Sequence, residues 1–584
     1  MTPIRLTFAS FVTSVAMTAT AFMSIAPAVA LAVERSEDLS GEAEVTQPSL
    51  ATPESAEPDR GLAGAAKERP VLKLPEVVVK GDRQYRVSAE RRDLLLMDPM
   101  WGIKEIPADM AQVAVPGLKE QKAAPQGDTL NARPYVLTVE GGAGSSRLGL
   151  GRLVAGWENR SFHAGIRAEY EAGEYPEAFG VTPFDQAAEA VVDIGGSPLA
   201  GWEMTGEATG RGGSHRQPAG GWGEWLEKGL GQVRLGNEFR LTPHTQLSAA
   251  AGWSAGVEQG IDGQAGWLQA RLLEVQTGFE QDITGLTVSD LNLAFQYRLW
   301  RQSTSVHAAG REPVIDETRH QAVARLRVRP VSALLLDGGV RWDEYNGPVP
   351  RNAANVVGQL SIMLPIGSVL YGSVDAGLEW QPASEWIFAH PRPAVFWNPE
   401  AEKVLGHYRL GWRQRWSEQV SMDVVGFRRE AEWTPVWMDE NHDGLFTLTT
   451  LPRTLVTGGT VAVEARYTAQ LTQGFSYTYR QSEASGRSYP YLPRHEASTE
   501  VRWSTGEFSL ELRYRYLGAR ASLPETEDNA LSPAQLLESR ADFNLLRNLD
   551  GFVDLRNLLN YAWEEWQGYP SRGFSFLAGL RLHY

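Results

Sequence analysis

Apolar and polar residues alternate strictly along the last stretch of the chain. One side of an extended backbone would carry Phe574, Phe576, Ala578, Leu580, Leu582 and Tyr584, and the other side Ser575, Leu577, Gly579, Arg581 and His583. A period of two predicts a β-strand with one apolar face. The same period holds at 461–467 and 508–516, where the second face carries Glu464, Arg466, Glu511, Arg513 and Arg515. Such strands need an apolar environment on one side and a polar one on the other.

Alternating runs separated by turn-forming residues recur from Pro134 to the end of the chain. We place strand starts near Tyr135, Leu148, Ser161, Gln186, Trp202, Glu227, Gln246, Gln264, Thr287, Arg319, Ala333, Asn355, Val369, Gly406, Val420, Thr454, Gly474, Arg494, Phe508, Leu537, Phe552 and Phe574. This predicts about 22 strands, in a range of about 18 to 24, with an even number preferred. Residues 134–584 are therefore expected to form an all-β, antiparallel transmembrane β-barrel.

The connections between these strands alternate between two classes. One class is short, as at 242–244 and 417–418, and the other is long, as at 384–405 and 518–532. Short periplasmic turns and long extracellular loops are typical of outer-membrane barrels. We therefore expect the short turns to mark the periplasmic edge and the cell outer membrane to be the location.

The charged face of each strand is expected to line the lumen. An arginine that faces lipid at mid-depth costs about 2–4 kcal/mol, so the apolar faces must point outward. Tryptophans near predicted strand ends are expected to form interfacial girdles; they are Trp300, Trp342, Trp412, Trp416 and Trp503. A barrel of this size encloses a lumen too wide for its own side chains to fill, so another segment must occlude it.

Composition agrees with this class of protein and excludes several others. The 584 residues include 58 Gly and 10% aromatics, and the mean hydropathy of −0.29 excludes a helical membrane protein. Because apolar and polar residues alternate in barrel strands, the mean hydropathy of the whole chain is low even though one face of each strand is apolar. The net charge of −16 argues against nucleic acid as a partner, and the absence of Cys excludes disulfides and thiol chemistry.

The first 70 residues read as an export signal followed by a disordered segment. Residues 1–32 carry Arg5, an apolar run and two small-x-small cleavage sites ending at Ala30 and Ala32, which predicts a cleaved signal peptide. The alternative is an uncleaved anchor helix. Residues 33–70 are acidic and rich in Ala, Pro and Ser, and such a composition cannot bury a core.

The end of the chain resembles the closing hairpin of TonB-dependent outer-membrane receptors. The matching residues are Arg556-Asn557-Leu558-Leu559-Asn560-Tyr561, Gly568-Tyr569-Pro570 and Arg572, before the last aromatic-ended strand. Further similar stretches are 390–393, 397–400, 407–412, 458–464 and 492–495. The resemblance implies a barrel that takes part in uptake of a small solute across the outer membrane, with neither an enzymatic activity nor a cofactor.

The same resemblance implies a TonB box, the periplasmic segment by which an energising TonB-type protein engages the receptor. The candidate residues are Leu74, Pro75, Glu76, Val77, Val78 and Val79. A short exposed strand of this kind suits addition to a partner's sheet edge, although it could also fold back on its own barrel mouth. Residues 82–133, broken by four prolines, are too few for the usual plug domain. We therefore interpret 71–133 as the box and a reduced plug or linker.

One short motif suggests a metal site. Asp439, Asn441 and Asp443, followed by Gly444, have the spacing of the first half of a calcium loop. Thr450 stands where the bidentate Glu of such a loop belongs, and Asn, Asp and Gly are also ordinary turn formers. We favour the turn. Because the chain has no nucleophile elbow either, the sequence predicts no enzyme.

Three functions are consistent with the sequence. The first is a TonB-dependent-receptor-like transporter with a reduced plug. The second is a passive porin-like channel whose opening is restricted by long loops, with residues 386–397 folded inward. The third is a scaffold barrel that holds a surface or periplasmic partner through residues 33–133. No motif identifies the solute.

Overall fold

A computed structural model describes residues 135–158, 162–176, 184–199, 201–216, 225–260, 267–283, 290–307, 314–383, 393–395, 401–439, 442, 446–485, 488–523 and 530–584. The predicted signal peptide, the acidic segment 33–70 and the segment 71–133 lie outside these residues. None of the described residues belongs to a helix with the length and hydropathy needed to cross a membrane.

Long strands make up nearly all of the described chain. The barrel strands are β1 Tyr135–Gly144, β2 Gly149–Glu158, β3 Phe162–Glu174, β4 Phe184–Leu199, β5 Trp202–Arg216, β6 Trp225–Thr242, β7 Thr245–Gly260, β8 Trp267–Ile283, β9 Asp290–His307, β10 Val314–Val331, β11 Leu334–Asn346, β12 Arg351–Leu364, β13 Ser368–Glu379, β15 Glu402–Arg415, β16 Val420–Met438, β17 Phe446–Arg466, β18 Leu471–Ala484, β19 His495–Ser504, β20 Phe508–Leu517, β23 Ala534–Leu546, β24 Leu549–Arg556 and β27 Ser575–His583.

Shorter elements lie in the connections. They are β14 Pro393–Val395, β21 Arg520–Ala521, β22 Ala530–Leu531, β25 Glu564–Trp566, β26 Tyr569–Pro570 and a 3₁₀ turn at Pro365–Gly367. β14 pairs in parallel with β17, while β21 pairs with β22 and β25 with β26. These three pairings, which involve five short strands, show that the longest connections have structure of their own.

The 22 long strands close into one antiparallel barrel. Each barrel strand pairs with its neighbours in sequence, and β1 pairs with β27 from Thr138 opposite His583 to Gly144 opposite Leu577. Closure satisfies every strand edge, which an open sheet in lipid could not do. The predicted fold class and strand number are therefore confirmed.

Side-chain exposure separates the two faces of the wall as the alternation predicts. On β27, Phe576, Leu580 and Leu582 point outward and are exposed, whereas Ser575 and Leu577 are buried. Leu410 on β15 is 72% exposed and Val356 on β12 is 66% exposed. These outward apolar side chains form the lipid-facing band, and the intervening charged residues line the lumen.

One girdle assignment was wrong. Trp300 lies on the lumen side of β9, where the guanidinium of Arg319 stacks over its ring at 4.8 Å. The reason is parity, because Trp300 is two residues from lumen-facing Arg298 and so shares its face. Trp342, Trp412 and Trp416 are exposed on the outer side as expected.

The two edges of the barrel differ as the connection lengths predict. β2–β3, β6–β7 and β10–β11 are joined by turns of a few residues, and the two ends of the barrel chain lie at this short-turn edge. The opposite, long-loop edge carries the connections 380–401, 518–533 and 557–574. β16 and β17, with 19 and 21 residues, exceed the roughly 9–11 residues that cross a bilayer and project beyond it at this edge.

Candidate functional site: the lumen and its loop-covered mouth

Charged side chains line the lumen and form ion pairs both between neighbouring strands and between strands further apart in the wall. Arg413 on β15 lies 2.7 Å from Asp423 on β16, and Arg556 on β24 lies 2.6 Å from Glu171 on β3. A half-buried guanidinium–carboxylate pair of this kind keeps both charges in place and remains wettable. The lumen wall is therefore a polar surface suited to a water-soluble solute rather than to a lipid.

A single carboxylate joins four strands at the seam of the barrel. Glu140 on β1 lies 3.5 Å from Arg152, 3.2 Å from Arg540 and 2.8 Å from Arg581. Only 5% of Glu140 is exposed. Because these arginines come from β2, β23 and β27, Glu140 electrostatically ties together the strands that close the barrel.

The connection 380–401, which we call the crossing loop, leaves β13 on the lumen side of the wall. Immediately before it, the backbone N–H of Leu378 donates to Asp343 Oδ2 at 3.2 Å, and Arg341 Nη2 donates to the Leu378 carbonyl at 2.6 Å. Arg319 also donates to that carbonyl. Leu378 and Asp343 are fully buried, so the root of the loop is fixed against β10 and β11.

Further contacts of the crossing loop reach distant parts of the wall. The backbone N–H of Ala383 donates to Gln302 Oε1 on β9 at 2.8 Å, and β14 pairs with the start of β17. The carbonyl of Ala401 accepts a hydrogen bond from Arg351 on β12. β9 and β17 are separated along the wall by β10–β13, β15 and β16, so the described parts of the loop are held at widely separated points of the barrel mouth.

An aromatic cluster covers another part of the mouth. Phe446 at the start of β17 is fully buried, and its ring centroid lies 5.4 Å from that of Trp566 and 6.1 Å from that of Tyr569. Tyr491 lies 4.8 Å from Trp566. These four residues, which we call the aromatic cap, come from three different long-loop connections and form a small core outside the membrane.

Polar contacts hold the aromatic cap to a fourth connection. Arg520 Nη2 donates to the Glu564 carbonyl at 2.6 Å, and the Arg520 guanidinium stacks over Trp563 at 5.5 Å. The backbone N–H of Tyr491 donates to the Ala521 carbonyl at 2.6 Å. Burial raises the pKa of the Tyr491 hydroxyl above its ordinary value, so it stays neutral at any physiological pH.

The calcium-loop prediction is only partly visible. Asp439, directly after β16, is fully buried and has a partner, whereas Asn441 and Asp443 lie outside the described residues. His442 has a positive φ of 55°, as in a tight turn, and its Nδ1 lies 2.7 Å from Gln567 Nε2. No group of three or more His, Cys, Asp or Glu able to hold a metal occurs among the described residues.

The candidate TonB box, Leu74 to Val79, lies outside the described residues and stays a prediction. Sequence reasoning missed the crossing-loop root and the aromatic cap. Both depend on contacts between residues that are far apart in sequence, and local alternation carries no signal for them. The one available hint was composition, because the long connections hold Trp563, Trp566, Tyr489 and Tyr491 where ordinary surface loops carry few large aromatics.

Comparisons by sequence and by structure give different results. No family model matches the sequence, and no curated protein matches it. Solved structures do match. The closed form of the ferric-catecholate import receptor Fiu from E. coli K12 has a TM-score of 0.60 at 12% identity, covering 77% of this chain and 82% of that one.

Two further solved structures match this chain over a similar share of its length. The copper transporter OprC matches with a TM-score of 0.60 at 13% identity, over 77% of this chain and 81% of that chain. The ferric yersiniabactin uptake receptor FyuA from Yersinia pestis matches with a TM-score of 0.58 at 14% identity, over 78% and 81%. At such low identity the likeness concerns the fold. The resemblance to TonB-dependent outer-membrane receptors is therefore confirmed for the fold, and the described chain has the 22-stranded barrel that these structures share.

Proposed function

We propose that this protein is an outer-membrane barrel of the TonB-dependent-receptor type that takes part in uptake of a small solute. The observation that carries the proposal is a charged lumen whose long-loop mouth is partly covered by packed loops. A polar path with a covered mouth suits selective passage, whereas a structural barrel needs no charged interior. The matched receptors and transporter support this reading because they share the barrel fold.

The proposal includes a reduced plug, because residues 82–133 are too few for the plug domain that such receptors usually carry. Planar-bilayer conductance tests this by comparing the mature protein with a variant lacking residues 33–133. We expect the mature protein to be silent and the variant to show large conductance. Large conductance in both proteins would contradict the plug, and silence in both would assign the seal to the loops.

The proposal also includes an energising partner that binds Leu74, Pro75, Glu76, Val77, Val78 and Val79. Strand addition of this segment to the partner's sheet edge would supply the mechanical connection. Surface plasmon resonance with the C-terminal domain of a TonB protein from the same organism would measure it. Deleting residues 74–79 should abolish binding, and deleting 47–52 should leave it unchanged. Equal binding by all three proteins, or none by the intact chain, would refute this part.

A passive channel is the second candidate, and the crossing loop is the observation that favours it. Segments held against the lumen side of a barrel at its mouth narrow the opening without any plug. Liposome-swelling assays with sugars of increasing size distinguish the two functions. Size-limited entry through the mature protein, without an energising partner, would support the channel and contradict the energised receptor.

A further inference from the structure

Most lumen-facing arginines lie within ion-pair distance of a carboxylate, as Arg413 and Arg556 do. Arg234 on β6, Arg298 on β9 and Arg325 on β10 have no such carboxylate among the residues that the structure describes. Arg234 and Arg325 are exposed to the lumen, and Arg298 is half-buried. We call these three residues the arginine patch.

Strand register places the members of the patch on the lumen face of the wall between β6 and β10. Arg234 Nη2 donates to Gln276 Oε1 on β8 at 3.3 Å, and Gln276 lies directly opposite Arg298. Arg298 in turn lies opposite Gln321 on β10, four residues before Arg325 and therefore on the same face. Both Arg234 and Arg325 are close enough to act electrostatically on Arg298.

The carboxylates around the patch do not balance it. Two carboxylates lie near the patch without forming an ion pair to it, since Glu274 attracts Arg298 and Glu207 on β5 lies directly opposite Arg234, while a further arginine, Arg341, repels Arg298. Arg341 has carboxylates of its own, since it lies 2.6 Å from Asp343 and 3.4 Å from Asp375. Three arginines thus face two carboxylates, so the patch keeps an excess of positive charge, and like charges repel each other in a partly desolvated wall.

One donor of the patch is also unsatisfied. Arg298 Nε is buried and has no hydrogen-bond partner. A buried charged donor without an acceptor is unfavourable unless a ligand completes it. Arg319 Nε is buried without a partner as well, but Nη2 of Arg319 donates to Asp343 and to the Leu378 carbonyl, so a carboxylate lies within ion-pair distance of that guanidinium, as none among the described residues does for Arg298.

We propose that Arg234, Arg298 and Arg325 bind a small polyanionic solute that bears carboxylate or phosphate groups. Planar guanidinium groups match both anions through paired hydrogen bonds. Oxygens of the solute would accept hydrogen bonds from Arg298 and from the two exposed arginines, and their charge would relieve the mutual repulsion. The inference rests on the proposed function in one respect, namely that solute enters the lumen.

Equilibrium dialysis of the detergent-solubilised full-length mature protein tests the patch, with radiolabelled citrate and inorganic phosphate as probes. We expect saturable binding of at least one probe that weakens as salt is raised. The double variant Arg298→Gln/Arg325→Gln should bind about tenfold more weakly or worse. Arg298→Lys, which keeps the charge but not the fork, should fall between the double variant and the unaltered protein.

Arg466→Gln is the matched control, because Arg466 on β17 also faces the lumen, is exposed and has no carboxylate partner among the described residues. It should leave binding unchanged. Equal loss in this control, or unchanged affinity in a folded double variant, would overturn the proposal, as would the absence of saturable binding of both probes. The assay needs neither transport nor a TonB protein, so its failure is distinct from that of the proposed function.

Discussion

At the scale of single residues, Glu140 stabilises the closure of the barrel through ion pairs with three arginines. Replacing it by Gln would leave Arg152, Arg540 and Arg581 without the buried carboxylate they share. Removing one partner of a buried ion pair costs about 3–5 kcal/mol. We therefore expect Glu140→Gln to lower the free energy of unfolding by about that amount, measured by urea unfolding in detergent micelles.

The control for this prediction is Glu464→Gln. Glu464 on β17 also faces the lumen, and it has no ion pair among the described residues. Its replacement should change the free energy of unfolding by about 0.5 kcal/mol or less. If the two variants unfold at the same urea concentration, the ion pairs of Glu140 do not contribute to the stability of the closed barrel.

Asp343 is the residue on which the crossing loop depends. It accepts hydrogen bonds from Arg319, Gln321, Arg341 and the Leu378 backbone N–H. Asp343→Asn keeps the shape but removes the charge and turns one acceptor into a donor. We expect the loop root to loosen, so that chymotrypsin cleaves after Trp386 or Phe388 several-fold faster. Asp337→Asn, whose partner Arg327 is half-exposed, should leave cleavage unchanged.

At the scale of elements, strand parity decides which substitutions the membrane tolerates. Leu360 on β12 points outward and is 40% exposed, whereas its neighbour Gln359 faces the lumen opposite Asp337. Leu360→Arg should lower the free energy of unfolding by about 2–4 kcal/mol in lipid. Gln359→Arg should be nearly neutral, because it gains a carboxylate partner. Equal losses in phospholipid vesicles would contradict the assigned faces.

The sequence was sufficient for the wall because alternation is a local signal. Strand starts predicted near Tyr135, Trp202, Val420 and Phe508 match the structure at the same residues. The largest miss is β17, expected near Thr454 but beginning at Phe446. There β16 and β17 continue beyond the membrane, and Pro435, Pro452 and the positive φ of Trp433 interrupt the alternation that would have revealed it.

For the candidate site, the sequence predicted that arginines line the lumen but not which of them bind a ligand. Charge alternation places arginines in the lumen, but which of them lack carboxylates depends on the register of neighbouring strands. Arg298 and Arg319 look alike in the sequence. The difference between them arises from residues far away in the chain, since Asp343 and the Leu378 carbonyl accept hydrogen bonds from Arg319, whereas no carboxylate among the described residues lies within ion-pair distance of Arg298.

At the scale of the whole molecule, the aromatic cap makes separate loops act as one cover over the mouth. Phe446 is its centre, with contacts to Tyr491, Trp566 and Tyr569. Phe446→Ala removes a fully buried ring, and such truncations cost about 3–5 kcal/mol when the site cannot collapse. Because the cap lies where β17 projects beyond the membrane-spanning part of the wall, we expect the barrel to persist and the cover to loosen.

The measurement is liposome swelling in the variant lacking residues 33–133, with and without Phe446→Ala. Removing the N-terminal segment isolates the contribution of the loops, so any rise in the largest sugar admitted reports on the cap. Phe576→Ala is the matched control, because that ring is exposed on the lipid-facing side of β27. A raised size limit in Phe446→Ala alone would assign the cap a role in selecting solutes by size. An unchanged limit in a folded variant would mean that the crossing loop, with its root at Asp343, sets the opening by itself.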